Sequence, residues 1–364
     1  MKISHIEIRQ LKIPFNVKFT HASASRNETE SVLVVANSHG GNTGYGEGCP
    51  RSYVTEENIE SATAFFDKHK ASIQDIENLA DLRRWAQAKK EAIDVNPAAW
   101  CAIELALLDL LGKEQNQSVE ELLSLPLISG SFHYTAVLGT NHYETFKKQF
   151  EKYISIGFSD FKVKICGKLD IDLRNLDLLT KHERKHLRIR LDANNLWNTS
   201  NEAIEYLHRL DTEFFAIEEP IKTNQYESLR AVSQSTGSKI VLDESFLRCE
   251  QFAHIVETPE TWIINVRVSK MGGLLRSLKI VQKAMRLKVS IIIGAQVGET
   301  SILTRSALTI ANSCRNVLLA QEGAFGAYLL EKDIVEKPLV FATGGVLSEY
   351  SLVPKQGFGL KCVV

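Results

Sequence analysis

The chain lacks most of the features by which a sequence announces a partner. It has 43 basic and 44 acidic side chains, a formal net charge of −1, which gives no electrostatic reason to expect nucleic acid or an anionic membrane. Six cysteines, at 49, 101, 166, 249, 314 and 362, include no pair at C-x-x-C spacing. That argues against a zinc site or a disulfide framework, and the thiols read as reduced in a cytoplasmic protein. No apolar run approaches a membrane span. Met1-Lys2-Ile3-Ser4-His5-Ile6-Glu7-Ile8 reads as a strand and lacks the apolar stretch of a signal peptide. There is no low-complexity segment or long polar linker, and no Ser/His/Asp order stands out. What remains is ordinary globular composition, 44% apolar and 24% charged. A chain of 364 residues holds two cores, or one large core with an added domain.

What is present is a series of short apolar runs that close on charge. They are Phe161-Lys162-Val163-Lys164-Ile165, Leu191-Asp192-Ala193-Asn194, Ile217-Glu218-Glu219-Pro220 and Leu242-Asp243-Glu244-Ser245. The steps from Lys164 to Asp192, Glu218 and Asp243 are 28, 26 and 25 residues, the length of one strand plus one helix. Before them, residues 1 to about 50 read as a β meander, with strands over Ile3–Ile13, Glu30–Ala36 and Thr43–Gly48. Glu56–His69, Asp81–Ala92 and Pro97–Leu111 follow with helical spacing. After Pro126, candidate strands at 132–138, 160–165, 187–192, 213–218, 239–243, 261–267, 288–293 and 316–320 alternate with helical patterns. Eight such strands predict a (β/α)₈-type barrel behind an α+β first domain. The last unit is cramped, and residues from about 325 are expected to return to the first domain.

Charge at these positions needs a reason. Lys162 and Lys164 share one face of their strand, where two ammonium groups repel and lose hydration. Taken alone, K-x-K reads as an exposed edge strand, and each acid alone reads as a helix N-cap. Together, three carboxylates at successive strand ends form an oxygen site for a hard divalent cation at the C-terminal rim, where barrel active sites sit. The metal would polarise a substrate carboxylate, and a lysine brought towards neutrality by its neighbour would take the α proton. Gly272-Gly273 before a helix reads as a tight turn and not a phosphate cradle, because no G-x-G-x-x-G or P-loop context accompanies it.

This combination resembles the enolase superfamily, and within it the muconate lactonizing enzyme subgroup, over essentially the whole chain. Gly44-Tyr45-Gly46-Glu47-Gly48-Cys49-Pro50 is similar to the family's G-x-G-E-x-x-P, and the helix around Ala102–Leu110 resembles the one preceding its barrel. The resemblance implies a modified (β/α)7β barrel over residues 126–322. It also implies an α+β capping domain formed from residues 1–125 and the C-terminal segment 323–364. By position it implies Asp192, Glu218 and Asp243 as ligands of Mg²⁺, with Mn²⁺ as a substitute, Lys164 as base, and Lys162 tuning it and holding the substrate carboxylate. A small-molecule carboxylate substrate and a homo-oligomer are implied as well.

Two segments depart from the pattern. The subgroup's sixth strand commonly reads N-x-K-x-x-K-x-G-G; here it is Asn265-Val266-Arg267-Val268-Ser269-Lys270-Met271-Gly272-Gly273. Arginine takes the place of the opposing acid/base and is a poor proton acceptor. Strand eight has Ala320-Gln321-Glu322-Gly323 in place of the D-x-D of dipeptide epimerases. The expected function is therefore a one-base lyase or cycloisomerase. The alternatives are a racemase or epimerase that uses Arg267 as second acid/base, and a metal-holding binding protein without turnover. His21 and Arg26 in the first long loop, Asn194, Asn265, Glu299 and Glu322 complete the set of candidate substrate contacts.

Overall fold

Glycines at every second position of one strand decide how the N-terminal part packs. The computed structural model describes residues 1–21, 24–139, 142–183, 187–348 and 356–363, with side chains described except at 17–21, 24–25 and 327. Five strands open the chain: β1 (Ile3–Leu11), β2 (Pro14–His21), β3 (Ala24–Glu28), β4 (Ser31–Ser38) and β5 (Thr43–Gly48). β1, β4 and β5 form an antiparallel sheet in that order, and the helix Pro97–Glu114 lies on it. A Cβ at Gly44, Gly46 or Gly48 would stand 2.2, 2.0 or 2.0 Å from the carbonyl oxygen of Ala106, Ala102 or Ala98. Two strand residues advance about 6.8 Å and four helix residues about 6.0 Å. Alternate glycines thus meet every fourth helix residue, and the helix is buried on all sides from Pro97 to Gly112.

The segment read as a long loop between strands is instead a hairpin, β2 against β3. Its signal was the alternation Phe15, Val17, Phe19 against Asn16, Lys18, Thr20. The helical stretch expected over Asp81–Ala92 is two helices, Leu79–Ala88 and Lys90–Val95, meeting at Lys89.

The expected strand 132–138 also divides. β6 (Ser131–His133) and β7 (Ala136–Leu138) are separated by Tyr134, whose N donates to Gly345 O at 2.8 Å, and by Thr135. Only β7 joins the barrel. The other barrel strands are β8 (Asp160–Lys164), β9 (Arg188–Asp192), β10 (Ala216–Glu218), β11 (Lys239–Leu242), β12 (Trp262–Val266), β13 (Ser290–Ile293) and β14 (Leu318–Gln321). They pair in parallel in sequence order, and Thr135 N donates to Gln321 O at 2.7 Å across the seam between the first and last. Helices cover six of the seven connections, and 3-10 turns serve between β11 and β12. This is the (β/α)7β barrel.

Part of the barrel interior is apolar, with Ala216, Val241, Ile263, Ile292 and Ala320 packed together. A second, larger core lies between the strands, the helices and the N-terminal sheet. After β14 the chain returns to the N-terminal part. β15 (Val346–Ser348) pairs with β6. Asn16 N donates to Leu329 O, Val119 N to Gly357 O and Phe358 N to Asp109 Oδ1, at 2.8, 2.9 and 2.9 Å. Among the described residues no helix is long and apolar enough to cross a membrane.

Candidate active site

Parallel register brings the charged strand ends together. Lys164 pairs with Asp192, and Asp192 with Glu218, on β8, β9 and β10. Asp243, Arg267 and Glu322 each stand one residue beyond β11, β12 and β14. All six therefore gather at the C-terminal mouth of the barrel. Lys164 Nζ lies 3.0 Å from Asp192 Oδ2 and 2.8 Å from Asn194 Oδ1. Lys162, two residues deeper on the same face, reaches Glu322 at 3.0 Å, Glu218 at 3.2 Å and Asp192 at 3.3 Å.

The charges below the mouth are layered. Lys162 registers with Arg190, and Asp160 with Arg188. Arg190 is fully buried. Its Nη2 donates to Glu322 Oε1 at 2.5 Å, and its Nη1 to Asp160 Oδ1 at 2.9 Å and Thr135 Oγ1 at 3.1 Å. Glu322 thus bridges Arg190 and Lys162, and both of its oxygens are held by cations of the barrel itself. Sequence reasoning missed Arg190. The signal was its position two residues before Asp192, as Lys162 stands two before Lys164.

The carboxylates around Lys162 decide its charge. Burial works against its charge, but Glu218, Glu322 and Asp192 more than reverse that and hold it well above the ordinary lysine value. The same contacts act on the acids. Burial opposes ionisation of Asp192, yet Lys164 and Lys162 hold it well below the usual range. Against burial, Lys162 and Arg190 pull Glu322 down to about 2. At Glu218, burial and the neighbouring carboxylates outweigh Lys162 and push it up to about 7.

Arg267 faces the same mouth. Its Nη2 bonds to Asp243 Oδ2 and stands 3.6 Å from Glu218 Oε1, and its Nη1 donates to Gln296 Oε1 at 3.1 Å. Burial opposes its charge, but Asp243 and Glu218 outweigh it, so the guanidinium is held above even its ordinary value. Asn265 shares this side: its Nδ2 donates to Glu218 Oε1 at 3.1 Å. Lys270 is buried beneath, with Nζ on Asp243 Oδ1 at 2.8 Å and on the carbonyls of Asp243 and Asn265 at 2.7 Å each. It holds Asp243 in place and does not line the mouth.

The remaining candidates sit further out. Glu299 accepts from Gln296 N at 2.6 Å and so shapes the loop after β13. Arg26, on β3, is buried against Tyr53 and paired with Glu30 at 2.8 Å; among the described residues its buried Nη1 has no hydrogen-bond partner. His21 ends β2, but its side chain lies outside the described residues.

Asp192, Glu218 and Asp243 do not converge on one point as the sequence spacing suggested. Among the described residues no three potential ligands stand close enough to share an ion. Lys162 stands between Asp192 and Glu218, and Arg267 between Glu218 and Asp243. The donor set nevertheless fits a hard divalent cation. It is all carboxylate oxygen on neighbouring strand ends, and two buried oxygens beside it, Asn265 Oδ1 and Glu244 Oε2, have no partner among the described residues.

Known proteins agree with this architecture. Residues 5–124 match the model of the mandelate racemase / muconate lactonizing enzyme N-terminal domain, and residues 145–362 that of the enolase C-terminal domain-like family. The chain belongs to the enolase superfamily, in its muconate lactonizing enzyme-like branch. A hydrophobic dipeptide epimerase of Enterococcus faecalis is 25% identical over 90% of this chain and 92% of its own. An N-succinyl-L-Arg/Lys racemase of Bacillus cereus is 25% identical over 86% and 85%. A crystal structure of an Enterococcus faecalis dipeptide epimerase with Mg and L-Leu-L-Tyr superimposes with a TM-score of 0.86 at 24% identity, over 99% and 100% of the two chains. The muconate lactonizing enzyme of Pseudomonas fluorescens, complexed with muconolactone, gives a TM-score of 0.88 at 22% identity over 100% and 97%. The backbone therefore does not separate epimerase from cycloisomerase.

Proposed function

We propose that this protein is a Mg²⁺-dependent enzyme that removes the proton α to a substrate carboxylate and returns a proton to the opposite face. It would be an epimerase or racemase of amino-acid-derived carboxylates such as dipeptides. The observation that carries this is Lys164, its Nζ at the mouth between Asp192 and Asn194, in a chain whose relatives are epimerases and racemases. Those relatives support epimerisation better than the one-base lyase or cycloisomerase that the sequence put first.

Asp192, Glu218 and Asp243 would hold the metal, which supplies a Lewis acid that stabilises the enolate of the substrate carboxylate. Lys164 as the free amine takes the α proton: the C–H bond breaks, an N–H bond forms, and the electron pair moves onto the carboxylate. Lys162, kept cationic by three carboxylates, holds the substrate carboxylate and balances its second negative charge. Arg267 would be the opposing group, giving a guanidinium proton to the α carbon from the second face as an N–H bond breaks and the new C–H bond forms, and regaining a proton from water. Arg26, whose Nη1 has no partner among the described residues, would meet the far end of the substrate.

One observation favours a second reading. The opposing group is an arginine held charged by Asp243 and Glu218, and a charged guanidinium cannot accept a proton. Chemistry from one face, elimination or ring closure, needs only Lys164. Incubation in D₂O with Mg²⁺ and a panel of dipeptides and N-acyl amino acids separates the readings by NMR and chiral analysis. Deuterium in both stereoisomers is expected. Exchange with retention only, or an elimination product, would establish the one-base reading, and no exchange with any carboxylate would sink both.

A further inference from the structure

The loop after β13 is gripped from the N-terminal part at three points. Arg51 Nη2 donates to Val297 O at 2.6 Å, while its Nη1 is held by Glu30 O and Pro50 O at 2.7 Å each. Glu47 accepts from Thr300 N at 3.0 Å and from Thr300 Oγ1 at 2.6 Å. Gly298, at φ +89°, abuts Phe15, whose Cζ a Cβ there would meet at 3.0 Å. Arg51, Glu47 and Thr300 are all buried. Immediately before these grips sits Gln296, itself buried. Its N is fixed by Glu299 Oε1 at 2.6 Å, and its Oε1 accepts from Arg267 Nη1 at 3.1 Å.

We infer that Gln296 is a positioning residue that sets the plane of the Arg267 guanidinium, and that the N-terminal part sets Gln296 through Arg51 and Glu47. A guanidinium is a planar fork with donors on several edges. Asp243 and Glu218 pull on Nη2 alone, and one edge leaves the plane free to turn. The contact on Nη1 fixes it. The acceptor is a neutral amide, so this edge of Arg267 keeps its charge for an anion at the mouth. Space agrees with a fixed path: Gly294 leaves room for the side chain, since a Cβ there would stand 3.0 Å from Arg267 Cγ and 2.1 Å from Asn265 Oδ1. Elements outside the barrel thereby determine where the arginine that replaces the family's sixth-strand lysine points its charge. The inference rests on the proposed role of Arg267 at the site.

Crystal structures of the full-length wild type and Gln296→Ala, both grown with Mg²⁺, read the guanidinium directly. In the variant it should turn away while the β12 backbone stays in place; an unmoved Arg267 overturns the inference. Kinetics on the dipeptide or N-acyl amino acid that exchanges fastest give a second reading. Gln296→Ala should lose about 10- to 100-fold in kcat/KM, the range for a hydrogen bond to a charged group. The loss should vanish in an Arg267→Ala background, whereas additive losses would show that Gln296 does not act through Arg267. Arg51→Lys should shift kcat/KM in the same direction; kinetics equal to wild type would remove the N-terminal part from the chain of contacts. Mn²⁺ affinity by calorimetry should stay unchanged in Gln296→Ala, and a weakened Mn²⁺ affinity would place its action on the metal carboxylates instead. If wild type exchanges no carboxylate, the proposed function fails, and the crystal comparison still decides this inference.

Discussion

Lys164 Nζ and Asp192 Oδ2 stand 3.0 Å apart at the ends of neighbouring strands, and the register that pairs them also pairs Asp192 with Glu218. Lys164, Asp192 and Glu218 are thus placed by one ladder of backbone hydrogen bonds, and Asp243 follows one residue beyond the end of β11.

Lys164→Ala should therefore remove α-proton exchange without dismantling the site. Loss of a general base typically costs on the order of 10²–10⁴ in rate. Asp192 keeps Lys162 as a partner at 3.3 Å, so the carboxylate stays charged. Exchange in D₂O measures the first effect and Mn²⁺ titration the second. Full activity in the variant would take Lys164 out of the mechanism.

Asp243 is the acid candidate most closely gripped by cations, with Arg267 on Oδ2 and Lys270 on Oδ1. Asp243→Asn should weaken Mn²⁺ binding by at least about tenfold, since even partners one shell further out cost that much at metal sites. It should also leave Lys270 buried against an amide. Calorimetry checks the affinity, and a thermal melt checks the fold. Unchanged Mn²⁺ affinity would exclude Asp243 as a ligand.

The barrel was legible because β8 to β11 each end on or just before a charge and the steps between those charges are nearly constant. β8 to β11 fall where the apolar runs fall. The hairpin β2–β3 was passed over although Phe15, Val17 and Phe19 alternate, because the charges and turn residues around them read as loop. The split between β6 and β7 was hidden for another reason. Ser131 to Leu138 is one continuous strand-like run, and only the arrival of β15 from the far end of the chain takes part of it out of the barrel. At the site, residue types and order were readable, but the ion pairs were not. Glu322 is spoken for by Arg190 and Lys162 from two other strands, a fact of register and closure that no local motif carries.

Glu47 gives a pH signature for the contact between β5 and the barrel. Burial raises its carboxyl to about 8, against the opposing effect of Thr300. A carboxyl whose folded value lies above its unfolded value of about 4.5 contributes stability that is complete below that value. The contribution is lost as pH rises through about 8. Glu47→Gln keeps an acceptor for Thr300 and cannot ionise. The wild type should exceed the variant in Tm most at pH 5, and the difference should shrink or reverse by pH 8.5. A difference that grows with pH would mean that Glu47 is ionised in the fold.

Arg267→Lys tests what the sixth-strand arginine does to the outcome. The guanidinium is held charged by Asp243 and Glu218 and is fixed on its other edge by Gln296. Lysine at the same position would keep a cation near both carboxylates, but its single ammonium has no planar fork, and it titrates far more readily than arginine. The side chain would then be able to give and take a proton on the face opposite Lys164. If the wild type epimerises, it incorporates deuterium into both stereoisomers, and the substitution should raise the rate at which label enters from the second face. If the wild type exchanges with retention only and Arg267→Lys alone inverts, the arginine is what confines this chain to chemistry from one face. A variant that binds Mn²⁺ and exchanges from the Lys164 face as wild type does, yet gains nothing on the other, would show that position 267 does not address the α carbon at all.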